Sequence, residues 1–134
     1  DDKNAALLYQ FGENLGVAFQ LQDDILDVYG DPEKFGKQVG GDIISNKKTF
    51  LHLTAKQLIN SEETNVLLGN HESTEQKVSA VTELYNSYGI KQLSNAKMKQ
   101  YLTKAYQALD ALEVAENRKT YLRELTKQIM ERES

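Results

Sequence analysis

A single proline, Pro32, interrupts 134 residues, and that scarcity constrains the fold more than any other feature of the chain. Proline lacks the backbone N–H and fixes φ, so it stops helices wherever it falls inside them. On both sides of Pro32, apolar residues recur at three- and four-residue spacings with no alternation of period two. An all-α chain is therefore expected. Helix one should run from about Asn4 to Tyr29, with Leu7, Leu8, Phe11, Leu15, Ala18, Phe19, Ile25 and Leu26 facing inward. Gly30-Asp31-Pro32 should end it, because the residue before a proline disfavours helical geometry.

From Gly30 to Lys48 the chain places four of its eight glycines and its proline, which reads as a loop holding at most one short turn of helix. Helices are then expected over Thr49 to Asn60 and from a Ser61 cap through Leu68. A capping box at Ser73-Thr74-Glu75-Gln76 should open a further helix to Tyr88, with Gly89 as its stop. A long amphipathic helix, about Lys91 to Leu112, should pair with a last one from Arg118 to Glu131, capped by Asn117. The 134 residues are read as a single all-α unit.

Forty per cent hydrophobic residues are enough to bury a core. No apolar run approaches the roughly 20 residues that span a bilayer, and no secretory leader is visible. Cysteine is absent, which excludes disulfides and thiolate ligands and agrees with a cytoplasmic location. Any metal must bind oxygen, His52 or His71. A net charge of -4 argues against nucleic acid, whose partners are basic. The opening residues Asp1-Asp2-Lys3-Asn4 contain no Met and lead straight into a periodic apolar segment, so the chain is expected to be a piece of something longer.

On helix one, Gln20, Asp23, Asp24 and Asp27 stand at i, i+3, i+4 and i+7 and share one stripe, with Gly12 and Gly16 on or beside it. Most of the remaining circumference is apolar, so the helix should be buried almost all round, with its acids facing a cavity. Carboxylates on neighbouring turns repel by about 3 kcal/mol per ionised pair at an effective dielectric near 20. Three such groups on a buried helix call for a cation, and an all-oxygen donor set favours Mg²⁺ shared with substrate phosphates. A solvated acidic face is the alternative that spacing alone leaves open. The following loop sets Lys34, Lys37, Lys47 and Lys48 among Gly36, Gly40 and Gly41, a composition able to close on an anion or to serve as a mobile surface loop.

The phrase Phe19-Gln20-Leu21-Gln22-Asp23-Asp24-Ile25-Leu26-Asp27 resembles the second aspartate-rich motif of trans-isoprenyl diphosphate synthases, the farnesyl and geranylgeranyl diphosphate synthase family. The likeness continues through Gly30-Asp31-Pro32, Gly36-Lys37, Gly40-Gly41-Asp42 and Asn46-Lys47-Lys48-Thr49, and precedes the motif at Tyr9-Gln10-Phe11-Gly12 and Leu15-Gly16. About fifty residues carry it. The resemblance implies the C-terminal portion of an all-α isoprenoid synthase bundle around a deep cavity, and a prenyltransferase that joins an allylic diphosphate to isopentenyl diphosphate. It assigns Asp23 as the principal Mg²⁺ ligand, with Asp24 and Asp27 supporting the metal or its waters. Lys37 and Lys47 would hold the diphosphate, Gln20 would lie by the reacting centre and Phe19 would line the pocket. Asp42 would order the loop. A homodimer is implied as well.

The family's first aspartate-rich motif and its upstream basic motif are missing from these residues. Asp1-Asp2 cannot replace the former, since it lies on the same helix about 30 Å from the second motif at 1.5 Å per residue. The chain alone is therefore expected to be inactive, with a non-catalytic helical subunit as the competing reading. Neither product length nor allylic substrate can be read from it. His52 and His71 are read as ordinary core or surface residues. Tyr85, Tyr88, Tyr101, Tyr106 and Tyr121 are read as core or interface, and Arg118, Lys119, Arg123 and Lys127 as a solvated face.

Overall fold

In the computed structural model, residues 1–31, 33 and 39–131 are described. Among them there are seven helices and no strand: α1 (Asp2–Tyr29), α2 (Gly41–Ile44), α3 (Phe50–Leu58), α4 (Ser61–Leu68), α5 (Thr74–Ser87), α6 (Ile90–Ala111) and α7 (Glu116–Glu131). The all-α expectation holds. The chain forms two compact units, one of Asp1–Gln22 with Ala96–Ser134 and the other Asp23–Asn95, so α1 and α6 each contribute to both.

In the first unit, Phe11, Ala105, Ala108, Leu109 and Leu112 form a buried cluster, with Leu7, Leu15, Tyr106, Val114 and Leu122 packed against it. Leu7, Phe11 and Leu15 are one turn apart on α1, and Ala105, Ala108 and Leu109 share one face of α6, which Leu112 continues just past the helix end. The start of α1 is fastened by Asn4, whose side chain accepts from the Glu113 N–H at 2.9 Å and donates to the Glu113 carbonyl at 3.2 Å. Further along, the buried Gln22 amide donates to the carbonyl of Met130.

Several expectations in this unit need correction. Leu8 is 50% exposed, not inward-facing as expected. Gly12, Gly16, Val17 and Gln20 are exposed too, so only the second part of α1 is buried almost all round. Tyr121 is exposed. Lys119 is buried rather than solvated: its ammonium donates to the Asp110 carbonyl at 2.9 Å, lying where the last turn of α6 presents unpaired acceptors. Helix α7 begins at Glu116, and Arg118 N bonds to the Ala115 carbonyl, so Asn117 lies inside the first turn and is not the cap.

In the second unit, Ile25, Val28, Ile43, Leu51, Ala55, Leu67, Val81, Leu84, Tyr85 and Ile90 are buried, and α5 packs against α2 and α4. Thr49 caps α3 by accepting from His52 N. The expected Ser61 cap is displaced by Asn60, which accepts from Glu63 N while the Glu63 carboxylate accepts from Asn60 N, a reciprocal capping box. Ser73 caps α5 through Gln76 N, and Gly89, at φ 65, takes the left-handed conformation between α5 and α6.

Candidate functional site

The acids of α1 and the segment that follows them meet within the second unit. Asp24 and Asp27 are buried, at 7% and 8% exposure, and Asp23 is half-buried. The helix has to stop before the chain can fold back. Gly30 permits the stop, since a side chain there would place its Cβ 2.5 Å from the Leu26 carbonyl oxygen. The chain returns at Gly40, whose N–H donates to the Asp27 carbonyl at 2.6 Å. Gly40 has φ 94, and a Cβ would lie 2.8 Å from both γ-carbons of Val78 on α5, so glycine is required for conformation and for space.

From Gly40 the chain enters the short helix α2, Gly41–Ile44. The Asp42 N–H donates to Asp27 Oδ2 at 2.8 Å, and the Asp42 carbonyl accepts from Lys47 N at 2.9 Å. Asn46 between them is left-handed, at φ 56. Its Oδ1 accepts from Lys77 Nζ at 2.6 Å, and the same ammonium reaches the Ile44 carbonyl at 3.4 Å. These bonds turn Lys47 back toward α1, where its Nζ lies 4.0 Å from Asp24 Oδ1. The Lys47 side chain is about half exposed, so its ammonium can move toward an incoming anion without the backbone shifting.

The structure thus unites Asp24, Asp27, Asp42 and Lys47. Asp23 precedes Asp24 on the same helix. Gln20 and Phe19 lie on α1 within the first unit, exposed and half-buried respectively. Lys34, Gly36 and Lys37 lie outside the described residues. Among the described residues, no three carboxylate or imidazole groups converge to hold a metal ion. Of the three aspartates, Asp27 accepts from the returning backbone at Asp42 N, and Asp24 Oδ1 lies 4.0 Å from Lys47 Nζ. What remains still suits Mg²⁺, which is commonly bound by one or two carboxylates and completes its shell with water and substrate phosphate. Asp23 and Asp24 supply that number of hard oxygens, with a lysine at hand for the phosphate.

Sequence reading missed Lys77. The charge alone gives no signal for it, but the partners do, since Asn46 is one of few residue types that tolerate φ > 0. The histidines stay outside the site. His52 is buried on α3, and burial, with Lys56, Lys48 and Lys77 nearby, pushes its imidazole below its ordinary pKa. A His71 ring nitrogen lies 2.8 Å from the Val66 carbonyl. No helix among the described residues is long and apolar enough to cross a membrane.

The sequence model of the polyprenyl synthetase family matches residues 1–88. A geranylgeranyl diphosphate synthase of Sulfolobus acidocaldarius is 32% identical over 104 residues, which is 75% of this chain and 32% of that protein. Among solved structures, a geranylgeranyl pyrophosphate synthetase from Pyrococcus horikoshii matches 99% of this chain and 41% of its own at 30% identity, with a TM-score of 0.87. A geranylgeranyl pyrophosphate synthase from Corynebacterium glutamicum, solved with isoprenyl diphosphate and magnesium, matches 95% of this chain and 37% of its own at 29% identity, with a TM-score of 0.82. The chain spans about a third of the length of the curated relatives it matches.

Proposed function

Because this chain belongs to the polyprenyl synthetase family, we propose that the protein carrying it joins an allylic diphosphate head-to-tail to isopentenyl diphosphate, giving a longer trans-prenyl diphosphate. The chain contributes the second carboxylate site and the lysines that hold the allylic diphosphate. One observation carries this reading: α1 and the returning segment bring the buried Asp24 carboxylate and the Lys47 ammonium to 4.0 Å beside Asp23. A diphosphate needs that juxtaposition of acid, for a divalent cation, and ammonium, for its own oxygens.

Asp23 and Asp24 would hold Mg²⁺, which when bound neutralises the diphosphate leaving group. Lys47 and Lys37 bind the same diphosphate, and in Lys47 the pairing with Asp24 is exchanged for one with phosphate oxygen. Burial of Asp24 leaves its carboxylate less screened than a surface one, while the half-exposed Lys47 stays within reach of solvent. Gln20 orients the reacting carbons and Phe19 lines the isoprenoid pocket. Loss of the diphosphate leaves an allylic cation, so holding the leaving group and excluding water are the tasks that fall to protein residues. The protein is read as a cytoplasmic homodimer, and the 134 residues alone as incapable of turnover.

Calorimetry with Mg²⁺ and a non-reactive allylic diphosphate analogue, on the full-length protein, tests the assignment. Asp23→Ala, Lys37→Ala and Lys47→Ala should each weaken binding by on the order of tenfold or more, the loss expected when one charged partner of a charge-assisted contact is removed. Unchanged affinity in all three would overturn it.

A further inference from the structure

We propose that Asp27 is a positioning residue and not a metal ligand: it anchors the returning backbone at residues 40–42 and so aims Lys47 at the diphosphate site. The inference rests on the functional reading above, which sets what Lys47 binds, but the anchoring is argued from this chain's own geometry.

Two hydrogen bonds commit Asp27 to the returning segment. Its carbonyl accepts from Gly40 N at 2.6 Å, and its carboxylate accepts from Asp42 N at 2.8 Å. Asp27 Oδ1 lies beside Gly41, where an added Cβ would be in ordinary van der Waals contact with it at 3.6 Å. The carboxylate is therefore covered by backbone on the side facing the segment, and the residue is 8% exposed. A Mg²⁺ ligand needs an open face toward the ion and its waters. Asp24, one turn earlier, turns instead to the mobile end of a half-exposed lysine.

The anchor reaches Lys47 through few bonds. Asp42 receives the Asp27 contact on its N–H and passes the constraint on through its carbonyl, which accepts from Lys47 N at 2.9 Å. The far side of the same turn is held by Lys77, through Asn46 Oδ1 and the Ile44 carbonyl. Asp27 on α1 and Lys77 on α5 thus grip a turn of four residues from two elements. A turn this short has little stability of its own, because helix nucleation is unfavourable. Without the grip, the Lys47 backbone would sample many positions, and its ammonium would meet the diphosphate only part of the time.

Asparagine separates the two roles. Its amide oxygen can accept from Asp42 N as the carboxylate does, but it makes a poor ligand for a hard cation. The probe is Mg²⁺ with inorganic diphosphate, titrated by calorimetry into the intact protein. Asp27→Asn should bind within about threefold of the native protein at the same Mg²⁺ dependence, while Asp27→Ala should lose about tenfold, a full buried hydrogen bond to a charged acceptor. Asp23→Asn, the control for a metal ligand, should lose binding and its Mg²⁺ dependence. If Asp27→Asn behaves like Asp23→Asn, the proposal is overturned.

Amide hydrogen exchange without ligand supplies a readout independent of the functional reading. Exchange at Asp42 and Lys47 should accelerate by about tenfold or more in Asp27→Ala and stay near native in Asp27→Asn. Unchanged exchange in Asp27→Ala would also overturn the anchor. Native protein that fails to bind Mg²⁺ and diphosphate would sink the functional reading alone, leaving the exchange result to decide for Asp27.

Discussion

Asp24 and Asp27 sit on adjacent turns of α1 with equal burial, yet they face different partners, one a lysine side chain and the other a backbone amide. Helical spacing puts both on one stripe, but spacing does not say what will come to rest against it. His52 teaches the same lesson in a titratable group. Burial first, then the positive charges of Lys56, Lys48 and Lys77, hold its pKa below the ordinary 6.5. The folded state therefore binds fewer protons than the unfolded state on the acid side of neutrality. His52 costs nothing above the unfolded value. As pH falls from there through the lower folded value, protonation favours the unfolded chain and stability declines. Urea melts across this range should show that decline in the native protein and a shallower one in His52→Gln. Identical pH profiles would remove His52 as the cause.

At the scale of elements, a cap can locate a helix in advance because it is a local device: a side chain oxygen meets an N–H two or three residues on. Ser73 and Gly89 acted as their sequence context implied. Asn60 and Ser61 show the limit, since either can cap and the choice falls to the residue three positions on. Glu63 is placed to return the bond to Asn60, and the reciprocal box decides. Replacing Asn60 with Ala should cost about 1 kcal/mol, read from thermal or urea unfolding. Ser61→Ala should cost little, and the reverse order would contradict the assigned cap. Helix α2 was legible only as a possible turn, because four residues cannot sustain a helix without the tertiary bonds of Asp27 and Lys77.

For the molecule as a whole, two compact units divide both long helices, so the core that matters to a residue depends on where along the helix it lies. Leu109 is fully buried in the first unit among Phe11, Ala105 and Leu112. Leu109→Ala should destabilise by about 2–5 kcal/mol, the range for emptying a filled site. Leu93, on the same helix within the second unit, is 44% exposed, and its truncation should change urea unfolding far less. Equal losses at both positions would contradict the burial pattern.

Local rules settled much of this protein from sequence: the scarcity of proline and the apolar spacing dictated helices, and the glycine-rich stretch dictated where they break. These follow from interactions within a few residues, which are printed in the order of the chain. Tertiary structure alone decided that Asp27 and Lys77 grip one turn, that Lys47 turns back on Asp24, and that Leu8 and Lys119 exchange their expected environments. Each of these depends on a partner many residues away, and the register of such a meeting is set by how helices pack, which no short window of sequence contains.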